Sequence, residues 1–349
     1  MKITIHRGTD QIGGCVTEYE HQGYRLFVDY GEQLPGAVKS VPLEIEGLTK
    51  GDLSKSALLI THYHGDHIGC IKYLPKELPI YIGKLGRDIQ LTLSEHLSYV
   101  KEEHNIIIER LQTTNSFIPI APIQIGVFKI TPVTIDHSAF DAYAFVIETD
   151  RVKILHTGDF RMHGFRSGNF EKLVNKYIGK VDFVVCEGTN VCRPNSSSFT
   201  ERELQRQFEN SFKQKQGHIV YLSSTNIDRL FSLYHAALKI GMPFFVDAYQ
   251  KKIMDIVTDS NSLWGKAKLY QYGEFPPIVL RRKGDFFRIN DKFKEVLGKK
   301  GYVLIARANY RFDRLIEQLP GKKIKYLSMW NGYLDEKIIL VRKPRLFLL

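Results

Sequence analysis

No two cysteines of this chain stand in a CxxC pair. The four present, Cys15, Cys70, Cys186 and Cys192, are scattered, which argues against a thiolate zinc site. A Cys186–Cys192 disulfide stays open, but free thiols are the expectation. No apolar run is long enough to cross a bilayer, so no membrane partner is expected. The opening MKITIHRGTDQIGG lacks the apolar segment of a signal peptide, and a cytoplasmic location is expected. Neither a GxGxxG fingerprint nor a P-loop occurs, so nucleotide-cofactor binding has no support. No internal repeat or low-complexity tract is evident.

What the chain does have is size and an uneven charge. Its 349 residues, 43% of them hydrophobic, are enough for a large core and about two domains. The net charge is +11. Residues 1–190 hold 20 Lys and Arg against 23 Asp and Glu, a balance of −3, whereas residues 191–349 hold 29 against 15, or +14. A basic C-terminal part beside a slightly acidic N-terminal one points to a polyanionic partner.

The first half reads as short strands: MKITIHRG, VTEYEHQGYRLFVDYG, SALLITHYH, LPIYIG, GVFKITPVTIDHS, AYAFVIETDRVKILHTGD and VDFVVCEG. They are rich in β-branched and aromatic residues and are punctuated by Gly, Asp and Asn. Helical stretches are expected near 85–112 and 170–178. The texture changes after Asn190. ERELQRQFENSFKQK reads as a helix and HIVYLSS as a strand. TNIDRLFSLYHAALKIG then places Ile227, Leu230, Phe231, Tyr234, Ala237 and Leu238 on one helical face, with Thr225 as N-cap and Gly241 as stop. PFFVDA is the next strand, which makes a βαβ unit of a parallel sheet. The fold class is therefore α/β.

The apolar stretch LLI runs into THYHGDH, so that His62, His64, Asp66 and His67 fall within six positions. In an extended chain His62 and His64 face the same way, and Gly65 permits a tight turn before Asp66 and His67. Imidazoles and carboxylates are the usual ligand set for zinc and also suit manganese or iron. Two ligand groups along one loop could serve two metals, as two-metal hydrolases require. His137 in DHSAFDA and Asp159 in HTGDF each follow a strand and complete the candidate set.

The HxHxDH run, the isolated His137 and the strand ending in TGD resemble the metallo-β-lactamase fold. VDYG matches the xDxG turn of that fold, with Asp29 in a structural role. DHSAFDA, HTGDFR and VVCEGTN narrow the resemblance to its β-CASP nuclease branch, the ribonuclease J-like group. The resemblance implies an αββα sandwich with an inserted β-CASP-like α/β domain. It also implies a division into a metallo-β-lactamase domain over 1–190, the insert over 191–320 and a return to the first domain over 321–349. It implies that His62, His64 and His137 hold one metal, that Asp66, His67 and Asp159 hold a second, and that Asp159 bridges. Asp66 would orient or accept a proton from the attacking water. Glu187 matches an acidic motif near the metals and is a second catalytic candidate.

Members of that group carry two further histidines near the C-terminus, whereas this sequence has none after His235. Impaired catalysis, weaker loading of the second metal and an exposed sheet edge that favours self-association into a homo-oligomer are the resulting expectations. The leading reading is a metal-dependent phosphodiesterase, a ribonuclease or exonuclease, acting on RNA or single-stranded DNA with one or two Zn2+ (Mn2+ as the other candidate). The alternatives are a hydrolase of small thioesters or lactones and a nucleic-acid-binding protein without catalysis. The basic stretches RRKGDFFRINDKFK and GKKGY are the proposed phosphate contacts; the interleaved Phe286, Phe287 and Phe293 could add stacking on bases, but most of them are expected in the core.

Overall fold

The structure is a computed structural model that describes residues 1–34, 43–191, 199–260, 266–283, 286–287, 290–328 and 345–346. Two compact units emerge: Met1–Met162 with Arg166–Ser196, and His163–Phe165 with Ser197–Leu349.

The first unit holds two sheets. One runs in spatial order β1 (Lys2–Arg7), β2 (Val16–His21), β3 (Tyr24–Val28), β4 (Ser56–Ile60), β5 (Ile80–Gly83) and β6 (Asn115–Phe117). The first three strands pair antiparallel and the rest parallel. A short helix α1 (Gly65–Ile68) follows β4, and α2 (Lys84–Ser98) and α3 (Glu103–Gln112) follow β5. The other sheet comprises β7 (Ile123–Ile125), β8 (Phe128–Thr134), β9 (Tyr143–Glu148), β10 (Lys153–His156) and β11 (Phe183–Val185), with α4 (Phe170–Leu173) between the last two in the chain.

The apolar run of β4 is explained by burial on both faces. Leu58 and Ile60 pack with Ile71, Ile82 and the α3 residues Ile107 and Leu111. Ala57 and Leu59 point the other way, into a cluster with Phe128, Ile130, Phe145 and Ile147 of the second sheet. Val133 and Val146, on the far face of that sheet, pack against Ile178, Leu173 and Val174. Helix, sheet, sheet, helix is the αββα sandwich that the sequence implies.

The second unit is a six-stranded, wholly parallel sheet. It is formed by β12 (Gly217–Leu222), β13 (Phe244–Val246), β14 (Ile278–Val279), β17 (Tyr302–Ala306), β18 (Lys323–Ser328) and β19 (Arg345–Leu346) in the order β14-β13-β17-β12-β18-β19. A two-stranded hairpin pairs β15 (Arg282–Lys283) with β16 (Phe286–Phe287). The helices are α5 (Glu201–Phe212), α6 (Ile227–Ile240), α7 (Ala248–Thr258), α8 (Asp291–Lys300) and α9 (Tyr310–Gln318). Ile219, Tyr221, Leu304, Ala306 and Leu327 bury one sheet face against Leu297 of α8 and Phe312, Leu315 and Ile316 of α9. On the other face Phe208 and Phe212 of α5 meet Tyr326 and His218.

Several local expectations shift. The helical stretch at 85–112 is two helices, because residues 99–102 leave the helix and Tyr99 and Val100 are exposed. The N-cap of α6 is Asn226, whose side chain accepts from Arg229 N, rather than Thr225; Gly241 is the left-handed C-cap, as expected. β6 and β7, three residues each, are too short to show as strands in sequence. β13 follows β12 through α6 in parallel, with β17 seated between them. The return to the first domain expected from 321 does not begin there. Lys323–Ser328 pairs with β12 along its whole length, because its apolar residues complete the second unit's core. Residues 329–344 and 347–349 lie outside the described residues.

Cys15, Cys70 and Cys186 are free thiols, and Cys192 lies outside the described residues. Phe293 packs into the second unit's core against Phe245, not onto its surface. The side chains of Phe286 and Phe287 lie outside the described set. Among the described residues no helix is long and apolar enough to cross a membrane.

Candidate metal centre

The candidate residues of the first unit all follow the C-terminal ends of strands. His62 and His64 leave β4, Asp66 and His67 sit in α1, His137 follows β8, Asp159 follows β10 and Glu187 follows β11. As the extended chain requires, His62 and His64 turn to one side, with His62 Nε2 3.1 Å from His64 Nδ1. Tyr63 between them turns into the core, and its hydroxyl accepts from Phe140 N at 2.9 Å.

His137 Nε2 lies 3.2 Å from His64 Nδ1. On the other side of His62, His67 Nε2 lies 3.3 Å from Asp159 Oδ2. Two groups of donor atoms result, His62 with His64 and His137, and His62 with His67 and Asp159; within each, the atoms lie within 4.8 Å of one another. Asp66 stands beside them, its Oδ2 3.7 Å from His67 Nε2, and belongs to neither group. Glu187 is not a member either. Its Oε1 accepts from Phe160 N at 3.0 Å, which ties the backbone just after Asp159 to the end of β11.

The electrostatics suit a cation. Burial, and then the neighbouring imidazoles, push the pKa of His62 well below the usual histidine range. Burial likewise lowers His64 and His137. Their nitrogens therefore keep free lone pairs at neutral pH, the form that binds metal. His67 differs. Burial works against its charge, but the carboxylates of Asp159 and Asp29 outweigh this and push it well above the usual range. Burial would raise Asp159, yet His67 overrides it and holds the carboxyl well below its ordinary value. Crowded neutral imidazoles, an ionised carboxylate and a histidine held between two carboxylates form a donor set that fits a divalent cation.

Asp29 is the residue whose part the sequence understated. It has φ of 62°, left-handed backbone that Asp tolerates better than most side chains. That turn aims its carboxylate back at the site. Oδ1 accepts from Thr61 N at 2.8 Å, and Oδ2 from Thr61 Oγ1 at 2.7 Å and from His67 Nδ1 at 2.7 Å. The glycine of the VDYG turn has a physical reason too: a Cβ on Gly31 would lie 1.6 Å from the Asp66 carbonyl oxygen. This close approach lets Tyr30 N and Glu32 N donate to the carbonyls of His67 and Gly65, each at 2.9 Å. A buried Arg166 holding the His137 loop was also missed. The xDxG turn signalled the first of these; nothing local signalled the second.

Residues 48–216 match the family described as the beta-lactamase superfamily domain, a stretch that includes every candidate site residue from His62 to Glu187. More narrowly, it is similar to ribonuclease J, as the HxHxDH, DHSAFDA and TGD motifs imply. The ribonuclease J of Helicobacter pylori (strain J99) is 28% identical over 262 residues, covering 70% of this chain and 35% of that protein. That of Mycolicibacterium smegmatis is 26% identical over 257 residues, covering 69% and 43%. That of Mycoplasma genitalium is 26% identical over 297 residues, covering 80% and 51%. The chain thus spans about a third to a half of the length of these curated relatives. Among solved structures, a protein of unknown function from Enterococcus faecalis V583 superposes with a TM-score of 0.71 at 18% identity, covering 99% of this chain and 86% of that one.

Proposed function

We propose that this chain is a metal-dependent phosphodiesterase that hydrolyses RNA. The observation that carries the reading is the convergence of His62, His64, His137, His67 and Asp159 from β4, α1, β8 and β10 onto one site. The similarity to proteins named ribonuclease J supports RNA as the substrate, and the balance of +14 over residues 191–349 suits a polyanion.

His62, His64 and His137 hold one cation through neutral imidazoles. His67 and Asp159, with Asp66 beside them, would serve a second, and His62 lies within reach of both groups. Zinc is the proposed ion, with manganese as the competitor the test includes. A bound divalent cation supplies Lewis acidity toward a phosphodiester oxygen and lowers the pKa of the attacking water. The chain's own groups do the rest. Asp29 fixes the proton of His67 on Nδ1 and so turns Nε2 toward the site. Asp66 lies within reach to accept a proton from the attacking water. Glu187 holds the backbone at Phe160 and with it the turn that carries Asp159.

The test is a labelled single-stranded RNA, a matching DNA and a generic ester, each incubated with the chain plus zinc, plus manganese or plus chelator. RNA cleavage that appears with metal and vanishes with chelator is the expected result. Ester hydrolysis without RNA cleavage would overturn the substrate, and RNA binding without any hydrolysis would overturn the chemistry.

A further inference from the structure

We infer that Arg166 is a positioning residue for His137, holding the backbone of the histidine's loop so that its imidazole meets His64. This rests on the reading of His137 as a metal ligand.

The loop between β8 and β9 leaves its strand at Thr134 and rejoins the sheet at Tyr143. At its two ends Ile135 N donates to Ala142 O at 3.0 Å and Arg161 N to Asp136 O at 2.8 Å; the carbonyls between them need donors from elsewhere, since a buried carbonyl left unmet is costly. Arg166 meets three of them. One Nη2 donates to His137 O at 2.6 Å and to Ala139 O at 2.9 Å, and Nη1 donates to Phe140 O. The side chain is 2% exposed. Its charge is answered by the buried Asp136, whose Oδ1 lies 3.8 Å from Arg166 Nε and 3.7 Å from Arg161 Nε. The guanidinium also lies over the Phe140 ring, 5.4 Å from its centroid.

The rest of the loop is pinned from other sides. Phe140 N donates to the hydroxyl of Tyr63, the residue between His62 and His64. Asp141 accepts from Gly86 N at 2.7 Å and from the Tyr143 hydroxyl at 2.6 Å. These contacts fix residues 140 and 141. Arg166 in turn donates to the carbonyl of His137 itself. A planar fork of fixed donors can serve three converging carbonyls; a lysine ammonium is a point charge on a flexible stem and cannot copy that geometry. Arg161 N holds the preceding carbonyl, Asp136 O, and Arg166 holds His137 from its own carbonyl onward, and with it the 3.2 Å approach of His137 Nε2 to His64 Nδ1.

The test compares Arg166→Lys and Arg166→Met with wild type by titrating zinc against a chromophoric chelator, well below each protein's melting temperature. Melting of the metal-free proteins is measured alongside. His137→Ala reports on the ligand reading. Arg110→Lys is the control for mere stability. Arg110 is another buried arginine that donates to two carbonyls, those of Lys76 and Leu78 at 3.1 and 3.2 Å, away from the His137 loop. The expected result is zinc binding weakened about 10–100-fold in both Arg166 variants, while Arg110→Lys lowers only the melting temperature. Wild-type zinc affinity in a folded Arg166→Lys would overturn the proposal and leave the ligand reading intact. An undiminished affinity in His137→Ala would overturn both. Should Arg166→Met fail to fold, Arg166→Lys alone decides, since it keeps the charge facing Asp136.

Discussion

Nδ1 of His67 lies 2.7 Å from Oδ2 of Asp29, and both side chains are buried. The pair is built by two unrelated local features, a left-handed residue after β3 and a short helix after β4. It leaves only one nitrogen of His67 to face Asp159. Replacing Asp29 by Asn keeps a side chain that tolerates φ of 62° but removes the charge that fixes the His67 tautomer. Zinc affinity of Asp29→Asn should fall about 10–100-fold, as read by chelator competition, with melting of the metal-free protein changed much less.

Asp159 is expected to matter more for hydrolysis than for fold. Its carboxylate lies 3.3 Å from His67 Nε2 and serves no strand pairing. Asp159→Asn keeps the volume and loses the anion. Metal analysis should find the loading of the second site reduced while the three-histidine group stays filled, and RNA cleavage should fall below detection. Unchanged turnover would mean that Asp159 is only a turn residue.

RNA affinity should depend steeply on salt. Each phosphate met by Lys or Arg releases a counterion, so log K falls linearly with log salt, with a slope near −0.7 per contact on a single strand. Because the surplus of +14 lies in residues 191–349, charge reversals at exposed lysines of the second unit should flatten that slope. A flat salt titration for wild type would remove the basic unit from RNA recognition.

What could be read in the chain and what could not divides along sequence distance. HxHxDH announces itself because four ligand groups fall in six positions after an apolar strand. His137 and Asp159 are visible because each closes a strand with a ligand-type side chain. Asp29 and Arg166 act through partners 38 and 29 residues away, and no local pattern encodes such a meeting. The same limit explains the C-terminal strand. KIKYLS reads as a strand, but its sheet is chosen by Tyr326 and Leu327 finding the two faces of the second unit's core. β6 and β7 escape notice because three residues are too short a run for a period of two to stand out.

His218 makes the second unit sensitive to acid. It is fully buried on β12, its Nδ1 lies 2.8 Å from the Tyr326 hydroxyl, and burial lowers its pKa to about 4. An unfolded histidine titrates near 6.5, so the unfolded chain takes up the proton first as pH falls. The neutral ring's stabilising share is complete above about pH 6.5 and is lost progressively down to about pH 4. At pH 5 this site alone should cost roughly 2 kcal/mol. Denaturant unfolding at pH 7 and pH 5 should show a smaller acid loss for His218→Gln than for wild type, whatever the variant's stability at pH 7.

Arg229 and Glu201 are both 0% exposed. Nε and Nη2 of Arg229 reach the two carboxylate oxygens of Glu201 at 3.0 Å each, a bidentate pair between α6 and the start of α5. Ser232 Oγ adds a hydrogen bond to the same carboxylate at 3.1 Å, and Arg229 also donates to Ser328 Oγ at the end of β18. Removing one partner strands a charge in the core, which typically costs about 3–5 kcal/mol. Arg229→Met and Glu201→Gln should each destabilise the second unit by that order in denaturant unfolding. The double variant Arg229→Met with Glu201→Leu leaves no unpaired charge, so it should recover much of the loss. A double variant as unstable as the sum of the two single changes would mean that the pair acts through packing and not through charge.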